Sequence, residues 1–194
     1  MNEVGVTAIV LAGGRSRRFG RDKLMEPLSG RPLLEHAIAA VEPVAMETIV
    51  VMAADESRIV PGGTIVVRDS TSFEGPLVGL LTGLRRAQYL IALVVGGDMP
   101  TMVPSVLGML IDRLEDPSVE AVVLEHDGRE RPLPGAMRVE LALSVAERLV
   151  AAGERRLRAL YQALPTAVID EPAWRDLDPD GRTMRDIDTP ADLF

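Results

Sequence analysis

Cysteine is absent from the 194 residues, which excludes disulfides, thiolate metal sites and cysteine nucleophiles and fits a reducing compartment. Aromatic residues make up only 3%, so a core has to be built from Val, Leu, Ile, Ala and Met. No apolar run approaches a membrane span: Val6 to Leu11 falls far short of the roughly 20 residues required, and no basic stretch precedes it. Cations are not in excess either. The net charge of −8 argues against nucleic acid as a partner, because phosphate backbones reward a basic surface. The expectation is a cytoplasmic protein with no membrane or nucleic-acid partner. Its length, together with the lack of repeats or a linker, suits a single domain over residues 1–194.

Against this acidic background stands Val6 to Lys23, VTAIVLAGGRSRRFGRDK. An apolar, partly β-branched run breaks into Gly13 and Gly14 and then into five cations, Arg15, Arg17, Arg18, Arg21 and Lys23. That pattern is a buried strand emptying into a basic loop. Glycine lets the backbone turn sharply at a strand end and bring its amides close to phosphate oxygens. A P-loop is excluded, because Gly14 and Gly20 have its spacing but Arg21 and Asp22 follow and Lys23 is displaced. A Rossmann fingerprint lacks its third glycine. A glycine turn with a solvated basic face remains open on the residues alone.

Further along, strand-like and helix-like segments alternate. Helical spacing of Leu34, Ala37, Ile38 and Val41 predicts a helix opening at Gly30-Arg31-Pro32, preceded by a short extended piece at Met25 to Leu28. Thr48 to Met52, Thr64 to Arg68 and Leu90 to Val95 are continuous apolar runs, as expected of parallel strands covered on both faces. Helices are predicted from Gly75-Pro76 to Ala87 and from Pro104 to Leu114. The second half predicts strands at Ala121 to Glu125, Leu133 to Met137 and Ala167 to Asp170. Between them fall a turn at His126 to Arg129 and helices at Leu141 to Ala152 and Arg156 to Leu164. Such alternation indicates an α/β three-layer sandwich around a mostly parallel, Rossmann-like sheet.

Ligands of open α/β sheets bind beyond the carboxyl ends of the strands. Three predicted strands end in glycine or polar residues, at Gly13-Gly14, at Arg68-Asp69-Ser70 and at Gly97-Asp98, so the basic loop and these carboxylates should share one rim. Asp98 suits a magnesium ligand, since Mg2+ is held by one or two carboxylates together with substrate phosphates and water. A turn aspartate ahead of Pro100 has the same local signature. His36 and His126 lack metal-ligand spacing and are expected to be structural or exposed. The methionines suit core filling and Trp174 is expected to be buried.

The string Leu11, Ala12, Gly13, Gly14, Ser16, Arg18, Gly20, Asp22 and Lys23 resembles the LAGGxSxRMGxDK motif of the molybdenum cofactor guanylyltransferases, with Phe19 in place of Met. The resemblance continues at Gly75 to Gly79 (GPLVG), Gly97 to Pro100 (GDMP), His126-Asp127-Gly128, Gly153 to Arg156 (GERR) and Asp188-Thr189-Pro190, and so spans nearly the whole chain. Two departures stand out: Met52-Ala53-Ala54 where an Asn is usual, and Asp186 and Asp188 where the family carries Asn.

The resemblance implies a nucleotidyltransferase-type fold whose N-terminal part binds the nucleotide and whose C-terminal part binds molybdopterin. It implies a catalytic set of Lys23, Arg18 and Asp98, with Asp98 as the Mg2+ ligand. Nucleotide binding falls on Leu11, Ala12, Gly13, Gly14, Lys23, Asp69 and Asp98, and acceptor binding on Arg155, Arg156 and Asp188. The last arginines, with Arg158, also suit a solvated helix face. The partners implied are GTP, molybdopterin and, transiently, molybdoenzymes or their chaperones, with the protein a monomer. A cytidylyl or sugar-phosphate transferase of the same fold, or an accessory protein that delivers cofactor without catalysis, stays open. The pairing of Lys23 with Asp98 argues against the last, since a mere binder needs no metal-centred pair.

Overall fold

A computed structural model describes residues 5–13, 19–20, 22–55, 58–69 and 75–193. In chain order these form β1 (Val6–Leu11), a short hairpin of β2 (Pro27–Leu28) and β3 (Arg31–Pro32), α1 (Leu33–Val41), β4 (Glu47–Met52), β5 (Ile65–Arg68), α2 (Pro76–Arg86), β6 (Ile91–Gly96) and α3 (Pro104–Asp112). There follow β7 (Ala121–His126), β8 (Arg129–Arg138), α4 (Val139–Ala151), α5 (Leu157–Ala163), β9 (Thr166–Ile169) and α6 (Glu171–Arg175). Short 3-10 turns occupy Lys23–Met25, Arg113–Glu115, Arg182–Met184 and Pro190–Leu193.

Seven strands make one sheet in the order β5-β4-β1-β6-β8-β7-β9. β8 runs antiparallel to both its neighbours and the remaining pairings are parallel. The continuous apolar runs follow from burial on both faces. Alternate side chains of one strand enter opposite cores: Ala8 and Val10 join Val50, Met52, Leu93 and Val95 on the α1 and α3 side, whereas Ile9 joins Ile49, Val51, Ala92 and Val94 on the α2, α4 and α5 side. Gly83 lets α2 lie close to β1, since a Cβ there would come 2.6 Å from Ile9 Cγ2. Trp174 is fully buried, as expected, and its indole Nε1 donates to the Glu125 carbonyl at 2.8 Å.

The observed elements refine four boundaries. Arg31 and Pro32 pair as β3 with β2, so α1 begins one residue later, at Leu33. Of the extended piece expected over Met25 to Leu28, Pro27–Leu28 is strand, whereas Met25 closes a 3-10 turn that starts at Lys23. α4 starts at Val139. β8 reaches back to Arg129, where charged residues had suggested only a turn. Among the described residues, no helix is long and apolar enough to cross a membrane.

Candidate active site

Chain order along the sheet reverses between β1 and β6: β4 and β5 extend from one edge of β1, and β6 lies along the other. Such a switch point leaves a crevice at the carboxyl ends of the two strands. Leu11, Ala12 and Gly13 lie on one side of it and Gly96, Gly97 and Asp98 on the other, stitched by a hydrogen bond from Gly97 N–H to the Leu11 carbonyl at 3.0 Å. Glycine is needed on the β6 side. A Cβ at Gly96 would come 2.5 Å from Asp98 Oδ1, and one at Gly97 would crowd Leu34, Leu24 and the Leu11 carbonyl.

Lys23 reaches this crevice from the 3-10 turn. Its Nζ donates to Asp98 Oδ2 at 2.7 Å and to Asp188 Oδ1 at 3.1 Å. Burial alone would lower the lysine pKa, but the Asp98 and Asp188 carboxylates outweigh it and hold the ammonium above its ordinary value. Asp22 begins the turn by accepting Leu24 N–H on Oδ1, an N-cap interaction. Its Oδ2 accepts Arg58 Nε at 2.6 Å, while Arg58 Nη1 donates to the Ala12 carbonyl at 2.7 Å. The buried Arg58 guanidinium thus clasps the end of β1 to the residue that presents Lys23. Nothing in the sequence marked Arg58; it is a single cation in an otherwise unremarked connection.

Asp188 arrives on the C-terminal tail. Ile187 N–H donates to the Asp98 carbonyl at 3.0 Å, and the Ile187 side chain packs with Phe19 and Leu33. Asp192 accepts from the N–H groups of Asp188 and Thr189 and from the Thr189 hydroxyl, which fixes the turn at Asp188-Thr189-Pro190. The tail motif is therefore built into the same crevice as Lys23.

The other site candidates sit as follows. Asp69 leaves the end of β5 with its N–H on the Met52 carbonyl at 3.0 Å, and a Cβ at Gly79 in α2 would lie 3.6 Å from its Oδ2. Gly13 faces Ala53 of the Met52-Ala53-Ala54 departure, where its Cβ would come 3.8 Å from the Ala53 nitrogen. The Arg155 carbonyl accepts Leu77 N–H in the first turn of α2, and its side chain crowds Gly75, whose φ of +111° suits glycine. Its guanidinium donates to the Val150 and Glu154 carbonyls. The Arg156 guanidinium makes two bonds to the Glu154 carboxylate and its backbone N–H a third. Gly14 and Arg18, with Arg15, Ser16, Arg17, Arg21 and Ser70, lie outside the described residues.

Two outlying features are structural. His126 Nδ1 donates to Glu171 Oε1 at 3.1 Å, and its ring meets the Trp174 ring edge-on. Glu171 also accepts Asp127 N–H and Arg175 Nε and Nη2. His126, Asp127 and Glu171 are the one group of three metal-capable side chains among the described residues, and Glu171 is already engaged by these donors. His36 bonds the Leu28 carbonyl at 2.8 Å.

Residues 8–168 match the model of the MobA-like NTP transferase domain. A probable molybdenum cofactor guanylyltransferase of Chloroflexus aggregans is 35% identical over 196 residues, covering 97% of this chain and 91% of that one. The molybdenum cofactor guanylyltransferase of Shewanella sediminis is 30% identical over 167 residues, 85% of each chain. Among solved structures, molybdopterin-guanine dinucleotide biosynthesis protein A of Archaeoglobus fulgidus superimposes with a TM-score of 0.81 at 25% identity, covering 96% of this chain and 94% of the other. A crevice at the strand switch point, holding a lysine from a glycine-turn motif against a strand-end aspartate, is thus found in a chain that belongs to the MobA-like NTP transferase family of nucleotidyltransferases.

Proposed function

We propose that this protein transfers the GMP moiety of GTP to the terminal phosphate of molybdopterin, forming molybdopterin guanine dinucleotide and releasing pyrophosphate. One observation carries the reading: the 2.7 Å pair of Lys23 and Asp98 at the β1/β6 switch point, in a chain whose relatives named as guanylyltransferases match over 97% of its length. The N-terminal part would bind the nucleotide and the C-terminal part the molybdopterin. The reading includes a cytoplasmic monomer that passes its product to molybdoenzymes or their chaperones.

An acceptor phosphate oxygen attacks the α-phosphorus of GTP, a new P–O–P bond forms, and the bond to the β-phosphate oxygen breaks with its electron pair leaving on pyrophosphate. The nucleophile is already anionic, so no strong general base is needed. Catalysis rests on bringing two anions together and aligning them. Lys23, charged through the neutral range, supports the α-phosphate and the departing pyrophosphate, with Arg18 assigned the same task. The Gly13 and Gly14 amides and Asp69 hold the nucleotide, and the acceptor-side assignment includes Arg155, Arg156 and Asp188.

The residues fit Mg2+. Asp98 and Asp188 both present carboxylate oxygens to the Lys23 ammonium, and an all-oxygen set with room for phosphates and water is what Mg2+ takes. Asp98 would hold it, and the ion would neutralise charge on the nucleotide phosphates. With the nucleotide bound, Lys23 would serve the phosphates and Asp98 the metal.

The test supplies purified protein with Mg2+, molybdopterin with and without molybdenum, and GTP, CTP, ATP or UTP in turn, and measures pyrophosphate and dinucleotide. Turnover with GTP supports the reading. Turnover with CTP alone moves the protein to a cytidylyl reaction, and binding without turnover makes it an accessory protein.

A further inference from the structure

β8 pairs with β6 only between Ile91↔Arg138 and Val94↔Gly135, and its earlier half pairs with β7 alone. On β7 the neighbours Val123 and Leu124 oppose Gly135 and Arg131, so Pro132, Leu133 and Pro134 bulge out of the ladder. Two of these three are prolines, which have no N–H to give to a neighbouring strand. The sheet therefore opens where β6 runs on to Asp98. A cleft of about 410 Å3 lies there, within the range of small-molecule sites. Asp98 and Met99 line it from the β6 side, Arg129 and Arg131 from β8, and Arg158 from α5.

The three arginines differ from four that the fold engages. Arg58, Arg138, Arg155 and Arg175 commit their guanidiniums to carbonyls or carboxylates. The side chains of Arg129, Arg131 and Arg158 have no hydrogen-bond or ion-pair partner among the described residues. In a chain of net charge −8, three unpartnered guanidiniums around one cleft are a local excess of donors. They outnumber the carboxylates of Glu130 and Asp186 that share the cleft, Asp98 being paired with Lys23.

We propose that Arg129, Arg131 and Arg158 clamp the phosphate of the acceptor, a phosphomonoester on a planar ring, and hold it against the Asp98 side of the nucleotide. The proposal rests on the transferase reading above and assigns its acceptor side. Position supports an acceptor rather than the triphosphate. β8 lies on the opposite side of β6 from β1, β4 and β5, whose ends carry the glycine turn and Asp69. An in-line displacement needs the attacking and leaving oxygens on opposite sides of the phosphorus, and the arginine wall and glycine turn flank Asp98 in that sense. Arginine also suits the task chemically, because its planar fork meets phosphate oxygens in pairs. The apolar surfaces of Met99, Leu133 and Met184 in the same cleft give a flat ring a place to lie.

The full chain carrying Arg129→Gln, Arg131→Gln and Arg158→Gln, singly and together, tests the assignment by steady-state kinetics and by direct titration with molybdopterin, followed by the heat of binding. The triple variant should raise the acceptor KM and Kd about tenfold or more, while the GTP KM stays within about twofold. Arg158→Lys should recover only part of the loss of Arg158→Gln. An unchanged acceptor Kd, or a GTP KM that rises in parallel, overturns the clamp. A wild-type chain that forms dinucleotide while the variants match it defeats the clamp and leaves the transferase reading standing. A wild-type chain that forms none defeats that reading, and the titration still decides the clamp.

Discussion

Lys23 Nζ lies 2.7 Å from Asp98 Oδ2, two residues 75 positions apart in sequence. A 3-10 turn capped by Asp22 presents one, and the end of β6 presents the other. Their meeting turns two motifs into one site. Because each group is the other's partner, neither is expected to act alone.

Replacing Lys23 with Ala, or Asp98 with Ala, should each lower kcat/KM for GTP on the order of a hundredfold, as for other lost electrostatic donors. The double variant should lose far less than the product of the two, since residues working as a unit are non-additive. A rate assay of the three variants checks this, and full multiplicativity would show that the two groups act independently.

Arg58→Ala should act on both stability and rate. It leaves the carbonyl of buried Ala12 without its donor, which costs about 1–3 kcal/mol, while the partly exposed Asp22 Oδ2 can turn to water. At roughly 2–4 °C per kcal/mol for a chain of this size, a thermal melt followed by the fluorescence of Trp174 reads it directly. The variant should also lose kcat more than GTP affinity, because the turn that aims Lys23 is no longer tied to β1. Added guanidinium should restore part of that rate.

Two glycine substitutions should separate fold from function. Gly96→Ala puts a Cβ 2.5 Å from Asp98 Oδ1 and displaces the carboxylate, so activity should fall steeply. Gly83→Ala pushes α2 away from Ile9, an overpacking cost of about 1–3 kcal/mol, with the GTP KM retained. Paired melts and kinetics of the two variants check the split.

Acid should weaken the clasp at the end of β7. The Asp127 N–H, followed by Arg175 and His126, holds the Glu171 carboxyl down at about 2. A depressed carboxylate stabilises the fold above its ordinary value of 4.5 and loses that contribution as the pH falls through about 2. Urea midpoints measured between pH 6 and pH 2 should fall for the wild type, and Glu171→Gln should flatten part of that slope.

Much of this architecture was legible because parallel strands buried on both faces leave an unbroken apolar signature. Val6 to Leu11 and Ile91 to Gly96 carry it, and the glycines that end them place the rim. The first half of β8 was not legible, because Arg129, Glu130 and Arg131 line an open cleft and so carry no apolar alternation, and Pro132 after them has no N–H to give to a ladder. Lys23 and Asp98 stood out as motif residues. That Asp188 shares their ion pair is a product of the tail crossing the site, 165 residues from Lys23, which no local pattern can report. Arg58 is invisible for a similar reason, since its importance lies in the two groups it joins.

The most direct test follows the label of α-32P GTP in a single turnover with excess enzyme, Mg2+ and molybdopterin. The wild-type chain should move the label into the dinucleotide with unlabelled pyrophosphate released, and Asp98→Ala should do so about a hundredfold or more slowly. Transfer by Asp98→Ala at the wild-type rate, with the same Mg2+ dependence, would contradict the placement of the reaction between Lys23 and Asp98.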